Sequence, residues 1–192
     1  VDTRFWTPGP APETGYVLAV GNDWHRDFET LMNAARKVDV PFVVVTRRDL
    51  PGCPSNVHHR VGSFAEGVSD AELRELYRGA TCVVTPLKRT MQPSGQSVTL
   101  QAMSCGRPVV LTNTPGLWSA DTVRDGETLL LTPVSDADAM AGRIREILDD
   151  SSRASRLGEA ARESVCRYAP IENFARRLLA VCQHAVERGA GP

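Results

Sequence analysis

Residues 16–46 read YVLAVGNDWHRDFETLMNAARKVDVPFVVVT, and the spacing of their apolar positions decides the fold class. Residues 16–20 form a continuous apolar run closed by Gly21, as expected of a strand buried on both faces of a parallel sheet. From Phe28 the apolar residues fall at Phe28, Leu31, Met32, Ala35 and Val38, the spacing of an amphipathic helix. Residues 42–46 are again β-branched and apolar, which predicts a second strand.

The alternation continues outward. Pro51, Gly52 and Pro54 break the chain before a weaker strand at 57–61. Ser69-Asp70-Ala71-Glu72 has the form of a capping box, and Leu73, Leu76, Tyr77 and Ala80 make the buried stripe of the helix it starts. A strand at 82–85, a helix at 96–105 stopped by Gly106, and strands at 108–112 and 128–131 follow. Ser135 is expected to cap a helix carrying Met140, Ile144, Ile147 and Leu148 on one face. Helices at 152–168 and 170–187 complete the pattern. Strands alternating with helices predict an α/β domain, a Rossmann-like doubly wound parallel sheet over residues 15–188. Residues 1–14, polar and rich in proline, read as an interdomain linker. A chain opening without Met on such a segment is expected to be a piece of a longer protein whose missing part lies upstream.

A chain of 192 residues with 42% hydrophobic content suffices for one sizeable core. Its 22 basic and 23 acidic residues balance to a net charge of −1, so no overall field favours nucleic acid or an anionic membrane. Any anion must therefore be bound locally. The five cysteines form no C-x-x-C pair, and His58 and His59 would point to opposite faces of a strand, so neither a metal nor another cofactor is expected. That cysteine usage suits a reducing, cytoplasmic setting, and there is no apolar run of about 18 residues to span a membrane. Peripheral attachment of a longer protein to a membrane remains compatible with this. No G-x-G-x-x-G follows the first strand, and neither a P-loop nor a G-x-S-x-G nucleophile elbow is present.

In doubly wound sheets ligands bind beyond the carboxyl ends of the strands, where helices present their N-termini. Three loops matter. After the strand at 82–85, Pro93, Ser94 and Gly95 lead into a helix, so the amides of Gly95, Gln96 and Ser97 could face a diphosphate, with Gly95 leaving room for its oxygens. Ser94 could equally be a plain N-cap. After residue 20, Gly21 permits a tight exit from the strand, and Arg26 stands where it could meet a phosphate or be merely solvated. After residue 61, Gly62, Ser63 and Phe64 offer amides and a ring to a base.

The order of these segments resembles the C-terminal domain of GT-B-fold glycosyltransferases, in particular the retaining nucleotide-sugar enzymes of glycosyltransferase family 4. VDTRFWTP looks like the family's interdomain stretch, VLAVGNDWHRDFETLMNAA like its first strand, phosphate loop and helix, and VGSF like its base-contacting loop. SGQSVTLQAMSCGRPVVLTNTPG looks like its signature segment. The resemblance implies one half of a GT-B fold. It also implies a nucleoside diphosphate-sugar as substrate, and an acceptor-binding N-terminal domain that is not part of this sequence. Arg26 stands where the family usually has a phosphate-binding lysine, and Gln101 where a glutamate meets the ribose hydroxyls. Pro93 occupies the place of a second glutamate that contacts the donor sugar, and Asn22 that of a frequent arginine. The resemblance thus implies donor binding by Gly21, Arg26, Gly62, Ser63, Ser94, Gly95, Gln96, Ser97 and Gln101, with no catalytic residue assigned. A non-catalytic nucleotide-sugar-binding module, or a GT-B nucleotide-sugar epimerase, are the competing readings.

Overall fold

The computed structural model describes residues 1–10, 15–62 and 67–189. Six parallel strands, β1 (Tyr16–Val20), β2 (Phe42–Val45), β3 (Val57–Arg60), β4 (Ala80–Thr85), β5 (Val109–Thr112) and β6 (Leu130–Thr132), lie in the order β3-β2-β1-β4-β5-β6. Helices α1 (Phe28–Ala35), α2 (Asp70–Gly79), α3 (Gln96–Ser104), α4 (Ala137–Asp149), α5 (Ser151–Tyr168) and α6 (Ile171–Gly189) complete the elements. This is the doubly wound, Rossmann-like sheet that the alternation predicts.

Strand periodicity explains the two layers. Val17 and Ala19 of β1 face α1 and α4, where Leu31, Met32, Ile144 and Ile147 bury themselves. Leu18 and Val20 face the opposite side, against Tyr77 of α2, Met103 of α3 and Val165 of α5. A strand covered on both faces needs no polar alternation, which is why β1, β2 and β4 read as continuous apolar runs. β3 is an edge strand, so His58 and His59 are exposed. Val61 lies past its end and is 67% exposed.

Local details differ from the sequence reading: Ala80, expected on the stripe of α2, opens β4 instead. Ser135 does not cap α4; it sits at φ 57°, and the neighbouring Asp136 carboxylate accepts the Ala139 amide. Either side chain suits a cap, and the left-handed turn at Ser135 hands the position to Asp136. Residues 1–10, read as part of an interdomain linker, pack on the domain. Trp6 is buried against Tyr77, Arg162 donates to the carbonyls of Thr3 and Trp6, and the Val1 amino group donates to the Ala169 carbonyl.

The strand order reverses between β1 and β4. At such a switch point two neighbouring strands send their connections to opposite faces and leave a crevice between them. The loops that border it, residues 21–27 after β1 and 86–95 after β4, carry most of the candidate site.

Candidate functional site at the switch point

The start of α3 differs from that of its neighbours. In α1, α2, α4 and α5 a side chain of Asp27, Ser69, Asp136 or Asp150 accepts a first-turn amide. At α3 the cap is Gly95, with φ 77° and no side-chain bond. The amides of the first turn have no partner inside a helix, so those of Gln96, Ser97 and Val98 point outward with the positive end of the helix dipole behind them. Ser94, one of the candidate caps, instead donates its hydroxyl to Asp23 Oδ1 at 2.7 Å.

Arg26 is threaded into this corner. It is 3% exposed, and its Nε and Nη1 have no hydrogen-bond partner among the described residues. Asp23 Oδ2 lies 3.4 Å from Nε, close enough to attract but not aligned to share a hydrogen. Burial pushes the guanidinium below its usual pKa, while the charge of Asp23 opposes that shift. Two glycines make the space. A Cβ on Gly21 would stand 1.9 Å from Arg26 Nε, and one on Gly95 would stand 2.7 Å from Nη1 and 2.5 Å from Thr85 Cγ2. The missing side chain at Gly95 therefore serves the arginine and strand β4 behind it, as well as the φ of the turn.

The loop after β1 is tied to its neighbours by backbone bonds and by one side chain. Lys88 N donates to His25 O, Asp27 N to Pro86 O, and Arg48 Nη1 to the carbonyls of Asp23 and Arg26. Asn22 is structural: its Oδ1 accepts the Arg47 amide and the Thr46 hydroxyl, and its Nδ2 donates to Gly62 O, joining the loops after β1, β2 and β3. The result is a cleft of about 590 Å³ bordered by Gly21, Asp23, Arg26, Ser94, Gly95 and Gln96.

A second cavity of about 610 Å³ opens beside it, sharing Gln96 and Ser97 and reaching Gln101, Trp118 and Phe174. Ser97 and Gln101 lie one turn apart, so they share a face of α3. The Tyr77 hydroxyl, fully buried and pushed upward in pKa by desolvation, donates to Gln101 Oε1 at 3.2 Å. That bond orients the amide and leaves its NH2 group to donate into the cavity. A further cavity of about 470 Å³, near Thr81 and Pro108, lies at the amino ends of β4 and β5, away from this corner.

The profile of the family "Glycosyl transferases group 1" matches residues 14–150. The chain belongs to that family. It is similar to D-inositol 3-phosphate glycosyltransferase of Acidothermus cellulolyticus, 38% identical over 47% of this chain and 19% of that one. It is also similar to a GDP-mannose-dependent alpha-(1-6)-phosphatidylinositol monomannoside mannosyltransferase of Mycolicibacterium smegmatis, 30% identical over 79% and 35%. The chain thus spans at most about a third of these curated relatives. Among solved structures, sucrose-phosphate synthase of Thermosynechococcus elongatus superposes with a TM-score of 0.82 at 26% identity, covering 98% of this chain and 51% of that one. The fold is shared as well by the C-terminal domain of a group 1 family protein of Francisella tularensis, with a TM-score of 0.71, 19% identity, and 89% and 99% covered. Anabaena HepE, solved with UDP-glucose, gives a TM-score of 0.79 at 15% identity over 96% and 56%.

In this group 1 chain, Gly21, Arg26, Ser94, Gly95, Gln96 and Ser97 border one cleft, and Gln101 faces the adjoining cavity. Gly62 is buried and contributes its carbonyl to Asn22 rather than lining the cleft. Ser63 and Phe64 lie outside the described residues. Three participants were not singled out from the sequence: Asp23 beside Arg26, Arg48 behind the loop, and Tyr77 under Gln101. An acid three residues before an arginine was visible at 23 and 26, but its pairing with Ser94, 71 residues away, has no local signal.

Proposed function

We propose that this chain is the donor-binding half of an enzyme that moves a sugar from a nucleoside diphosphate to an acceptor with retention of configuration. The observation that carries the reading is Arg26, a buried cation with two unpartnered N–H groups at the uncapped start of α3. A buried charge without aligned partners is costly to keep, and an anion in the cleft that Arg26 lines offsets that cost through its opposite charge. The helix amides and Arg26 hold the diphosphate, and Gln101 meets the ribose across the shared wall at Gln96 and Ser97. As the bond from the anomeric carbon breaks, its electrons pass to the diphosphate, and preorganised donors stabilise that charge most where water is excluded. The family membership and the HepE structure solved with UDP-glucose support this assignment. A non-catalytic binding module has one observation in its favour: neither Pro93 nor Gln101 supplies a carboxylate.

The test is thermal. A ligand present at 100 times its Kd stabilises a folded protein by about 2.7 kcal/mol. For a chain of this size that is an upward Tm shift of roughly 5–10 °C. One of UDP, GDP and ADP at millimolar concentration is expected to produce it, and no shift with any of the three refutes the reading. Transfer or donor hydrolysis by a longer protein carrying this chain separates the enzyme from the module.

A further inference from the structure

A carboxylate stands at the mouth of this anion-binding cleft. Among the described residues lining it, Asp23 is the only acid. Its Oδ1 is fully engaged, accepting the Ser94 hydroxyl at 2.7 Å and the His25 amide at 3.0 Å. Oδ2 faces only Arg26 Nε at 3.4 Å, without an aligned bond. The side chain is 40% exposed and lines the cleft, and Oδ2 keeps acceptor capacity.

A diphosphate alone gives no use for such a group, since two like charges repel. Hydroxyls do. The sugar of a nucleoside diphosphate-sugar is joined directly to the outer phosphate and presents several O–H donors next to it. A carboxylate held by a serine on one side and drawn toward an arginine on the other is suited to receive them.

We propose that Asp23 accepts hydrogen bonds from hydroxyls of the donor sugar, with Ser94 positioning it, and that it distinguishes the sugar nucleotide from the free diphosphate. Pro93, which lines the same cleft, has no polar side-chain atom to do so, and Gln92 and Gln96 are neutral. Removal of the charge therefore weakens the sugar nucleotide selectively. The same removal favours the free diphosphate or leaves it unchanged, because a nearby negative charge is lost. Product release is thereby assisted by the group that helped retain the substrate.

This inference rests on the donor-binding reading above, and the experiment separates the two. Calorimetric titration of the 192-residue chain and its Asp23→Asn variant is run with UDP, GDP and ADP, and with UDP-glucose, UDP-N-acetylglucosamine, GDP-mannose and ADP-glucose. Asparagine keeps the shape and can still accept from Ser94. The wild type is expected to bind one sugar nucleotide more tightly than its diphosphate. In Asp23→Asn that sugar nucleotide should lose roughly ten- to a hundredfold in affinity, while the diphosphate holds or gains. Ser94→Ala should show a smaller loss with the same selectivity. If the wild type binds no diphosphate, the donor-binding reading fails and takes this one with it. If it binds diphosphates but prefers no sugar nucleotide, or if Asp23→Asn shifts both ligands by one factor, Asp23 has no sugar role and only this inference falls.

Discussion

Replacing Arg26 by methionine should make the protein more stable and worse at binding, and both effects follow from its surroundings. The guanidinium is 3% exposed with two N–H groups unpartnered, and its one ionic neighbour, Asp23, is misaligned and 40% in solvent. Asp23 is 40% exposed and does not become a buried orphan, so removing a buried donor that lacks a partner recovers its desolvation penalty, about 1–3 kcal/mol. Methionine follows the path of the arginine stem between Gly21 and Gly95 without demanding a new rotamer class. Asp23 loses little, because water already solvates it. A gain near 2 kcal/mol raises Tm by about 4–8 °C in a chain of this length. On the binding side, one charge-assisted contact between the phosphate and Arg26 contributes about 1.5–3 kcal/mol, roughly ten- to a hundredfold in Kd. The nucleoside lacks phosphates and should be unaffected. Urea unfolding gives the first number, and titration with UDP against uridine, or the corresponding pair for whichever base binds, gives the second. A destabilised Arg26→Met protein would refute the claim that this charge is held uncompensated. Equal losses for nucleoside and diphosphate would remove Arg26 from the phosphate.

Gly95→Ala should destabilise the chain by about 2 kcal/mol or more, since φ 77° costs roughly 1–2 kcal/mol for an L-residue and the new methyl meets Thr85 at 2.5 Å. A wild-type urea midpoint in that variant would contradict the turn geometry. Glu72 in the capping box of α2 has its pKa held below the usual 4.5 by the Ser69 amide and hydroxyl. A carboxyl with a depressed folded pKa stabilises the fold above its unfolded value and loses that contribution as pH falls through the folded one. The stability advantage of wild type over Glu72→Gln, measured by urea unfolding, should therefore be present at pH 7 and shrink steadily below pH 4.5. A difference that is constant with pH would show that the cap acts through shape alone.

The elements legible in the sequence were those whose cause is local. β1, α1 and β2 are fixed by runs and stripes within residues 16–46, and the capping box at Ser69 and Glu72 forms as its spacing predicts. What the sequence concealed depends on distant partners. The sequence marks the proline-rich start as a linker but not where it lies: Trp6 packs on Tyr77 because the groove that receives it is built by helices far along the chain. Ser94 has the composition of a cap, but the cap position of α3 falls to Gly95 in the left-handed turn, and the Ser94 hydroxyl donates to Asp23 across the switch point. Gln101 stands by resemblance where a glutamate meets the ribose, and nothing in its neighbourhood in sequence announces the hidden hydroxyl of Tyr77 that engages its oxygen. Gly21 and Gly95 were visible as turn residues, while the arginine they both make room for could be recognised only once the two loops were brought together.

The bonds from Lys88, Asp27 and Arg48 that fasten the loop after β1 imply that its ligand meets a finished cradle rather than one that must form around it. Little of the interaction energy is then spent on ordering protein, so differences in affinity among nucleotides report their contacts directly. The association step should resemble docking on a solid wall, with water as the main species displaced. A substitution at Arg48, which borders no part of the cleft, should loosen that wall and weaken every ligand alike.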